Sequence, residues 1–194
     1  MALVWSVTNR ETVHECLEEI TRRTLACLER VFETPVETIA NLGGSEQCTP
    51  PMMSPAAFAE FVVPYDRRIV DFLNRRGVPV NCHCHGRVAS ALAGMVEAGY
   101  ASTDPVEPPP AGDVTMPQAR EAAGDRLTLL GNLEFDELEN ANPERIRQRV
   151  RKIMDTGKRR LVLSASAGPI SRMSPKLIAN YRALIEEALE SGQA

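Results

Sequence analysis

Short apolar segments alternate with amphipathic segments along most of this 194-residue chain. Between the apolar segments, hydrophobic residues recur every three or four positions, which is typical of helices that bury one face. Strand–helix alternation of this kind predicts right-handed crossovers and a parallel sheet. Five segments have the length and composition of buried strands, namely VETIANLGG, VPVNCHCHG, GYASTDP, LTLLGNLE and RLVLSASAG.

Proline, glycine and capping residues mark the predicted helix ends. Thr12 and Glu15 have the spacing of a capping box, and we expect a helix from there to Val31. A second helix is expected to start at Ser54-Pro55, to break at Pro64 and to end at Gly77. Further helices are predicted at Val88 to Ala98, at Thr115 to Ala123, from Asn142-Pro143 to Met154, and from Ser174-Pro175 onward, where Leu177, Ile178, Tyr181, Leu184, Ile185 and Leu189 are expected to face inward.

Small and polar residues at the ends of the strand segments indicate the fold class. Neither G-x-G-x-x-G after the first strand nor G-x-x-x-x-G-K-[ST] occurs, which disfavours two nucleotide-binding α/β folds. Polar residues at the carboxyl ends of successive parallel strands are the layout of a TIM-barrel site. A closed barrel has eight strands in about 250 residues, and this chain supplies five. We therefore predict one α/β domain over residues 1–194, a TIM-barrel type that lacks its N-terminal strands. We also expect a homo-oligomer or a partner chain to cover the open barrel.

Charge and composition narrow the expected partners and location. The formal net charge is −4, and no basic patch predicts binding to nucleic acid or to an anionic membrane. No apolar run approaches the roughly 20 residues of a membrane helix, and the N-terminus has no pattern of a secretory signal. The five cysteines have no framework spacing, so we expect reduced thiols and a cytoplasmic location.

The run Cys82-His83-Cys84-His85 contains two of the three histidines of the chain. Side chains alternate along a strand, so the two histidines share one face and the two cysteines share the other. Because cysteine suits an apolar layer between helix and sheet, we expect the histidines to point into the barrel near its C-terminal mouth.

Two imidazoles at this spacing can ligate one metal ion, and zinc requires three or four ligands. Further donors are expected from neighbouring strand ends, at Glu46, Glu107 or Glu134, or from a substrate thiol. The sequence leaves a second interpretation open, in which both histidines bind a substrate carboxylate or transfer protons without a metal.

Other polar residues near strand ends are candidates for the same site. Glu46 and Glu107 lie in loops rich in glycine and proline and suit a ligand or a general base. Arg87 follows the histidines and can pair with a substrate carboxylate or phosphate. Asn132 ends the fourth strand and Arg172 follows the fifth, so both are candidates for substrate binding.

Four segments carry a resemblance to a known family. They are S-P-x-x-F-x-x-F-x-x-P-Y at Ser54 to Tyr65, H-x-[CH]-G at His83 to Gly86, the strand GDRLTLLGN, and the last strand with the Ser-Pro helix after it. Their order, from about Thr12 to about Glu190, resembles the uroporphyrinogen decarboxylase superfamily, which includes the methylcobalamin:coenzyme M methyltransferases. The resemblance implies a TIM barrel.

The resemblance also implies a ligand set. In the methyltransferase branch, zinc is held by the His and Cys of an H-x-C-G strand end and by a Cys at the end of the last strand. The matching positions here are His83, His85 and about Ala167. Alanine has no donor atom, so Glu46 or Glu107 is expected as the third ligand.

The function implied is metal-assisted methyl transfer to a thiol or a related small molecule. Zinc is then the expected cofactor, a corrinoid the expected methyl donor, and a corrinoid protein the expected partner. One alternative is a metal-free decarboxylase of a porphyrinogen-like or other carboxylated substrate. Another is a truncated barrel or partner subunit without activity.

Overall fold

The five predicted strands form a single parallel sheet in chain order in the computed structural model, which describes residues 2–169 and 172–193. The strands are β1 (Ala40–Gly43), β2 (Val80–His83), β3 (Ser102–Val106), β4 (Thr128–Leu133) and β5 (Leu161–Ala165). Each strand is parallel to its neighbour, so all carboxyl ends lie along one edge of the sheet. The predicted α/β fold with five parallel strands is confirmed.

Helices connect the strands and cover the sheet. They are α1 (Ala2–Thr8), α2 (Arg10–Val31), α3 (Ala57–Phe61), α4 (Val63–Asn74), α5 (Leu92–Ala98), α6 (Met116–Ala123), α7 (Phe135–Asn140), α8 (Pro143–Met154) and α9 (Pro175–Gln193). A 3-10 turn, Ser45–Cys48, follows β1. In the described ranges, no helix is both long and apolar enough to cross a membrane.

Proline and capping signals located several helix starts correctly. Pro64 stands in the first turn of α4, which directly follows α3, so the expected break is present as two adjoining helices. Thr115 caps α6 with Gln118 in a capping box. The side chain of Asn142 accepts the backbone N–H of Arg145 at 2.9 Å and so caps α8.

Other predicted starts were wrong. Helix α2 begins at Arg10, so Thr12 lies inside it and forms no capping box. Helices α3 and α5 begin at Ala57 and Leu92, later than predicted, because the residues just before each of them form turns. The short helices α1 and α7 were not predicted.

The expected inward face of α9 was also wrong in part. Leu177 is buried, but Ile178, Ile185 and Leu189 are each about half exposed or more. The buried side of α9 instead includes polar residues that have partners. Asn180 donates to the carbonyl oxygens of Leu138 and Ala141 at 2.7 and 2.9 Å, and Glu187 accepts two hydrogen bonds from Arg151 at 2.8 Å.

The outer face of β2 lies in the main hydrophobic core. Val80, Cys82 and Cys84 have no exposed surface, as expected for the cysteines, and they pack with apolar residues of α4 and α5. Tyr100 lies in the same layer and donates a hydrogen bond from its hydroxyl to Asp66. Burial raises the pKa of Cys82 to about 12, and it raises the pKa values of Cys84, Tyr100 and Asp66 as well.

The inner face of the sheet forms an open groove of about 500 Å³ to which all five strands contribute. Ile39, just before β1, and Val162 of β5 line this groove and are 69% and 46% exposed. Within the described residues, β1 and β5 each pair along one edge only. An unpaired parallel edge beside an exposed apolar face favours association with another chain.

We expect the purified chain to self-associate through this groove. Val162→Lys places a charge on the apolar inner face and should shift the population toward monomer. Light scattering coupled to size-exclusion chromatography over a concentration series measures the change. Gln148→Lys adds the same charge on the exposed outer side of α8 and should leave the association unchanged. Equal masses for all three proteins at every concentration would contradict the expectation.

Because the thiols of Cys82 and Cys84 are buried, we expect the protein to lose stability in alkali. A thiol whose pKa is raised from 9.0 to about 12 keeps its proton in the folded state while the unfolded chain loses it. Stability is therefore full below about pH 9 and falls as pH rises toward 12, by up to about 1.4 kcal/mol per pH unit for each such group.

Urea unfolding at about pH 8 and about pH 10.5 measures this fall. Cys82→Ala should make the fall smaller, whereas Cys16→Ala, which removes an exposed thiol, should not. An identical fall in the wild type and in both variants would contradict the assignment to Cys82.

Candidate functional site

The two histidines of the H-x-H run lie at the carboxyl edge of β2. His83 is the last residue of the strand, and His85 follows two residues later. Their ring centroids are 4.8 Å apart and their planes are nearly perpendicular, at 87°. Gly43 of β1 is the parallel partner of His83, and its missing side chain leaves space beside the imidazole.

A polar network on the inner face of the sheet holds His83. Its Nδ1 lies 3.3 Å from Oδ1 of Asp104 on β3, the strand partner of His83 in the register. The same oxygen accepts a hydrogen bond from the side-chain amide of Asn81. Asn81 also donates to Asn41 of β1 at 2.8 Å and accepts from Ser102 of β3 at 2.7 Å. Three strands therefore contribute to the position of one imidazole.

A separate buried carboxylate holds His85. Its Nδ1 lies 3.3 Å from Oε1 of Glu107, which directly follows β3 and is 7% exposed. The other oxygen of Glu107 accepts the backbone N–H of Gly86. Both oxygens of this buried group are thus satisfied, as a buried carboxylate requires.

These two contacts determine which nitrogen of each ring is available to bind a ligand. A carboxylate only accepts hydrogen bonds, so in a neutral ring Nδ1 carries the hydrogen and Nε2 keeps its lone pair. The histidine side chains are 37% and 43% exposed, so both rings are accessible to a ligand from solvent. Carboxylate–histidine pairs of this kind orient imidazoles that ligate metals in many proteins.

The turn after Glu107 is packed too tightly for a side chain at Gly112. A Cβ built there lies 1.9 Å from the carbonyl oxygen of Glu107 and 2.6 Å from its carbonyl carbon. The backbone N–H of Gly112 donates to the carbonyl oxygen of Pro108 at 3.0 Å and closes the turn. Gly112 therefore supports the backbone that places Glu107 against His85.

Two more candidates from the sequence lie at the same edge of the sheet. Glu46 lies in the 3-10 turn after β1, and its Oε2 is buried with no hydrogen-bond partner in the described part of the chain. Arg87 is exposed beside Gly86, and across residues 2–169 and 172–193 it forms no ion pair. In the described chain, neither side chain hydrogen-bonds to His83 or His85.

Of the three remaining candidates, Asn132 lies on β4, Glu134 directly follows β4, and Arg172 lies beyond β5. Asn132 is buried, donates to the carbonyl oxygen of Val106 at 2.7 Å and accepts from Arg149 at 3.3 Å, so its amide joins β4 to β3 and α8. Arg172 is exposed in the segment before α9. A substrate contact for Asn132 or Arg172 stays a prediction.

Asn41 and Asn81 were not predicted as parts of the site, and Asp104, a polar strand-end residue, was not predicted as the partner of His83. One signal in the sequence could have predicted them, namely polar residues two positions apart on both strands. Asn81 and His83 have this spacing on β2, and Ser102 and Asp104 have it on β3. Only the parallel register shows that these residues face one another.

A complete set of metal donors is not assembled by this arrangement. No group of three or more His, Cys, Asp or Glu side chains that could hold a metal ion is present in the part of the chain that the structure describes. The two histidines supply two oriented donors, and Ala167, in the loop after β5, supplies none.

Comparisons with known proteins agree with this fold. The family model for uroporphyrinogen decarboxylase (URO-D) matches residues 1–189. A solved structure of a methyltransferase from Methanosarcina mazei aligns with a TM-score of 0.75 and 21% sequence identity. The alignment covers 97% of this chain and 52% of that one, so this chain spans about half the length of that methyltransferase. A search of curated proteins gives no match.

Five parallel strands with flanking helices and a polar carboxyl edge define an α/β protein of partial TIM-barrel type. The family match extends over nearly the whole chain, so this protein belongs to the uroporphyrinogen decarboxylase family. The resemblance found in the sequence is confirmed.

Substitution of Gly112 tests the support beneath Glu107. Gly112→Ala should lower the free energy of unfolding by about 1–3 kcal/mol, the usual cost of forcing a group into a packed site, and should shift the ring resonances of His85. Urea unfolding and a histidine-selective ¹H–¹⁵N spectrum measure the two effects. Gly192→Ala is the control, because a Cβ there meets no atom within 4 Å. Unchanged stability and spectrum in Gly112→Ala would contradict this role.

Proposed function

We propose that this chain is the catalytic C-terminal portion of a uroporphyrinogen decarboxylase-family enzyme that transfers a methyl group to a thiol or a related small molecule. The observation that carries the proposal is the pair of adjacent imidazoles, each held at Nδ1 by its own carboxylate. The methyl-transfer chemistry is taken from the resemblance of the H-x-[CH]-G strand end to the methyltransferase branch.

The residues present fit a zinc ion in part. His83 and His85 would hold it through Nε2, with Asp104 and Glu107 as the positioning carboxylates behind them. Glu107 was also a candidate ligand, but both of its oxygens already have partners on His85 and Gly86, which suits positioning better. Glu46 has a buried oxygen without a partner and is the proposed third donor, and its side chain would have to move toward the histidines to complete the group. A substrate thiol would complete the set.

A zinc ion at this position would act as a Lewis acid that favours the thiolate form of the substrate. The protein side chains around the ion would then have two tasks. Asp104 and Glu107 keep the two imidazoles in the tautomer that presents Nε2. Arg87 and Arg172 supply positive charge for an anionic group of the substrate. The groove beside the histidines admits the methyl donor, for which a corrinoid, carried by a corrinoid protein, is proposed.

Metal-free decarboxylation is the second candidate, and the same contacts support it. Each ring in its protonated form would donate from Nε2 to a substrate carboxylate while Nδ1 donates to Asp104 or Glu107. In the methyl-transfer candidate both Nε2 atoms bind a metal ion, whereas in the decarboxylation candidate both donate hydrogen bonds. A chain without activity, which completes its barrel only with a partner, is the remaining alternative.

Metal content after purification without chelator or histidine tag separates these candidates. We expect about one zinc per chain by mass spectrometry, and its loss in His83→Ala and in His85→Ala. His14→Ala is the matched control, because His14 lies on α2 and bonds to Tyr65, outside the site. Asp104→Asn should weaken zinc binding by about 10–100-fold, the usual effect of removing such a carboxylate.

A zinc-loaded chain would then be assayed for methyl transfer from methylcobalamin to a thiol. Equal zinc content in the wild type and in both histidine variants would contradict the assignment of the ligands. No binding even after zinc is added would overturn the methyl-transfer proposal and favour decarboxylation without a metal.

A further inference from the structure

A second cavity, of about 640 Å³, lies between the turn after β3 and helix α8. Its volume is within the range of small-molecule pockets. One wall consists of three prolines and an alanine, residues 108–111. The remaining lining is charged, with cations from α8 and carboxylates from the segment around α7. Glu134 was predicted as a possible donor beside the histidines, but in the described chain neither it nor any other lining residue hydrogen-bonds to His83 or His85.

The cations of the cavity lie on one side of α8. Arg145, Arg149 and Lys152 follow one another at spacings of four and three residues and so share a helix face over successive turns. Arg145 and Arg149 share a single counter-ion, because their Nε atoms lie 3.2 and 3.3 Å from the two oxygens of Glu137. Lys152 is exposed and has no ion pair with any residue that the structure describes. This face of α8 can therefore bind anionic groups.

The lining also includes a hydrogen-bond acceptor without a partner. Glu134 lines the cavity directly after β4, and its Oε2 accepts a hydrogen bond from the hydroxyl of Ser166 at 3.1 Å. Its Oε1 is buried and receives no hydrogen bond from the described part of the chain. A buried acceptor without a donor costs about 1–3 kcal/mol, so a ligand that supplies a donor gains affinity.

From this geometry we infer that the cavity binds a small dicarboxylate that also carries a hydroxyl or ammonium group. Arg145 and Lys152 hold the carboxylates, and Glu134 accepts the hydrogen bond of the donor group. The proline wall is stiff before binding, which lowers the entropy lost when the ligand is ordered. The inference does not depend on a metal at the histidines, and its test involves neither histidines nor metal.

Three probes of almost equal size test the carboxylates and the donor group of the ligand separately. Succinate has two carboxylates only, malate adds a hydroxyl, and aspartate adds an ammonium group. Titration calorimetry with the full chain should show malate or aspartate binding about tenfold more tightly than succinate, the effect of one hydrogen bond to a charged group. Lys152→Met should weaken all three probes, and Lys158→Met, which removes an exposed lysine outside the cavity, should weaken none.

Glu134→Ala tests the hydrogen bond to the donor group of the ligand. It should abolish the advantage of malate and aspartate over succinate while succinate binds as before, and circular dichroism verifies that the variant is folded. Failure of the wild type to bind any of the three probes at millimolar concentration would overturn the inference. Binding that is unchanged in both Lys152→Met and Glu134→Ala would overturn it too, because the probes would then occupy another place.

Discussion

Burial of one face of β2 determines what its other face presents. Val80, Cys82 and Cys84 are fully enclosed by helices, and side chains alternate along a strand. A slip by one residue would bring polar side chains into that apolar layer, at a cost of several kcal/mol. The packing of two small thiols against α4 and α5 therefore directs His83 to the inner face of the half barrel.

On the inner face of the sheet, the parallel register determines which polar side chains meet. Asn41, Asn81 and Asp104 belong to three strands and meet because those strands align in parallel. Each of these side chains has at least one hydrogen-bond partner within the network, which stabilises a polar inner face. His83 is thereby held rigidly, as a ligand or an acid–base group requires.

The turn that follows β3 links the two proposed sites. Its first residue, Glu107, bonds to His85, and the prolines that come next form a wall of the cavity beside α8. Gly112 closes the turn against the backbone of Glu107. A ligand on the proline wall and a ligand at the histidines would therefore contact successive parts of one segment, although each can bind without the other.

The sequence by itself determined the five strands, the parallel order, the faces of Cys82 and His83 and the family. These features follow from local periods of two and of three to four residues and from short motifs. Only the tertiary structure decided the partners Asp104 and Glu107, which are 21 and 22 residues from their histidines along the chain. It also decided that Asn180 is buried in α9 while Ile185 is exposed. The physical reason is that hydrophobic periodicity identifies an apolar stripe but not the neighbour that covers it, and long-range contacts depend on strand register and helix packing.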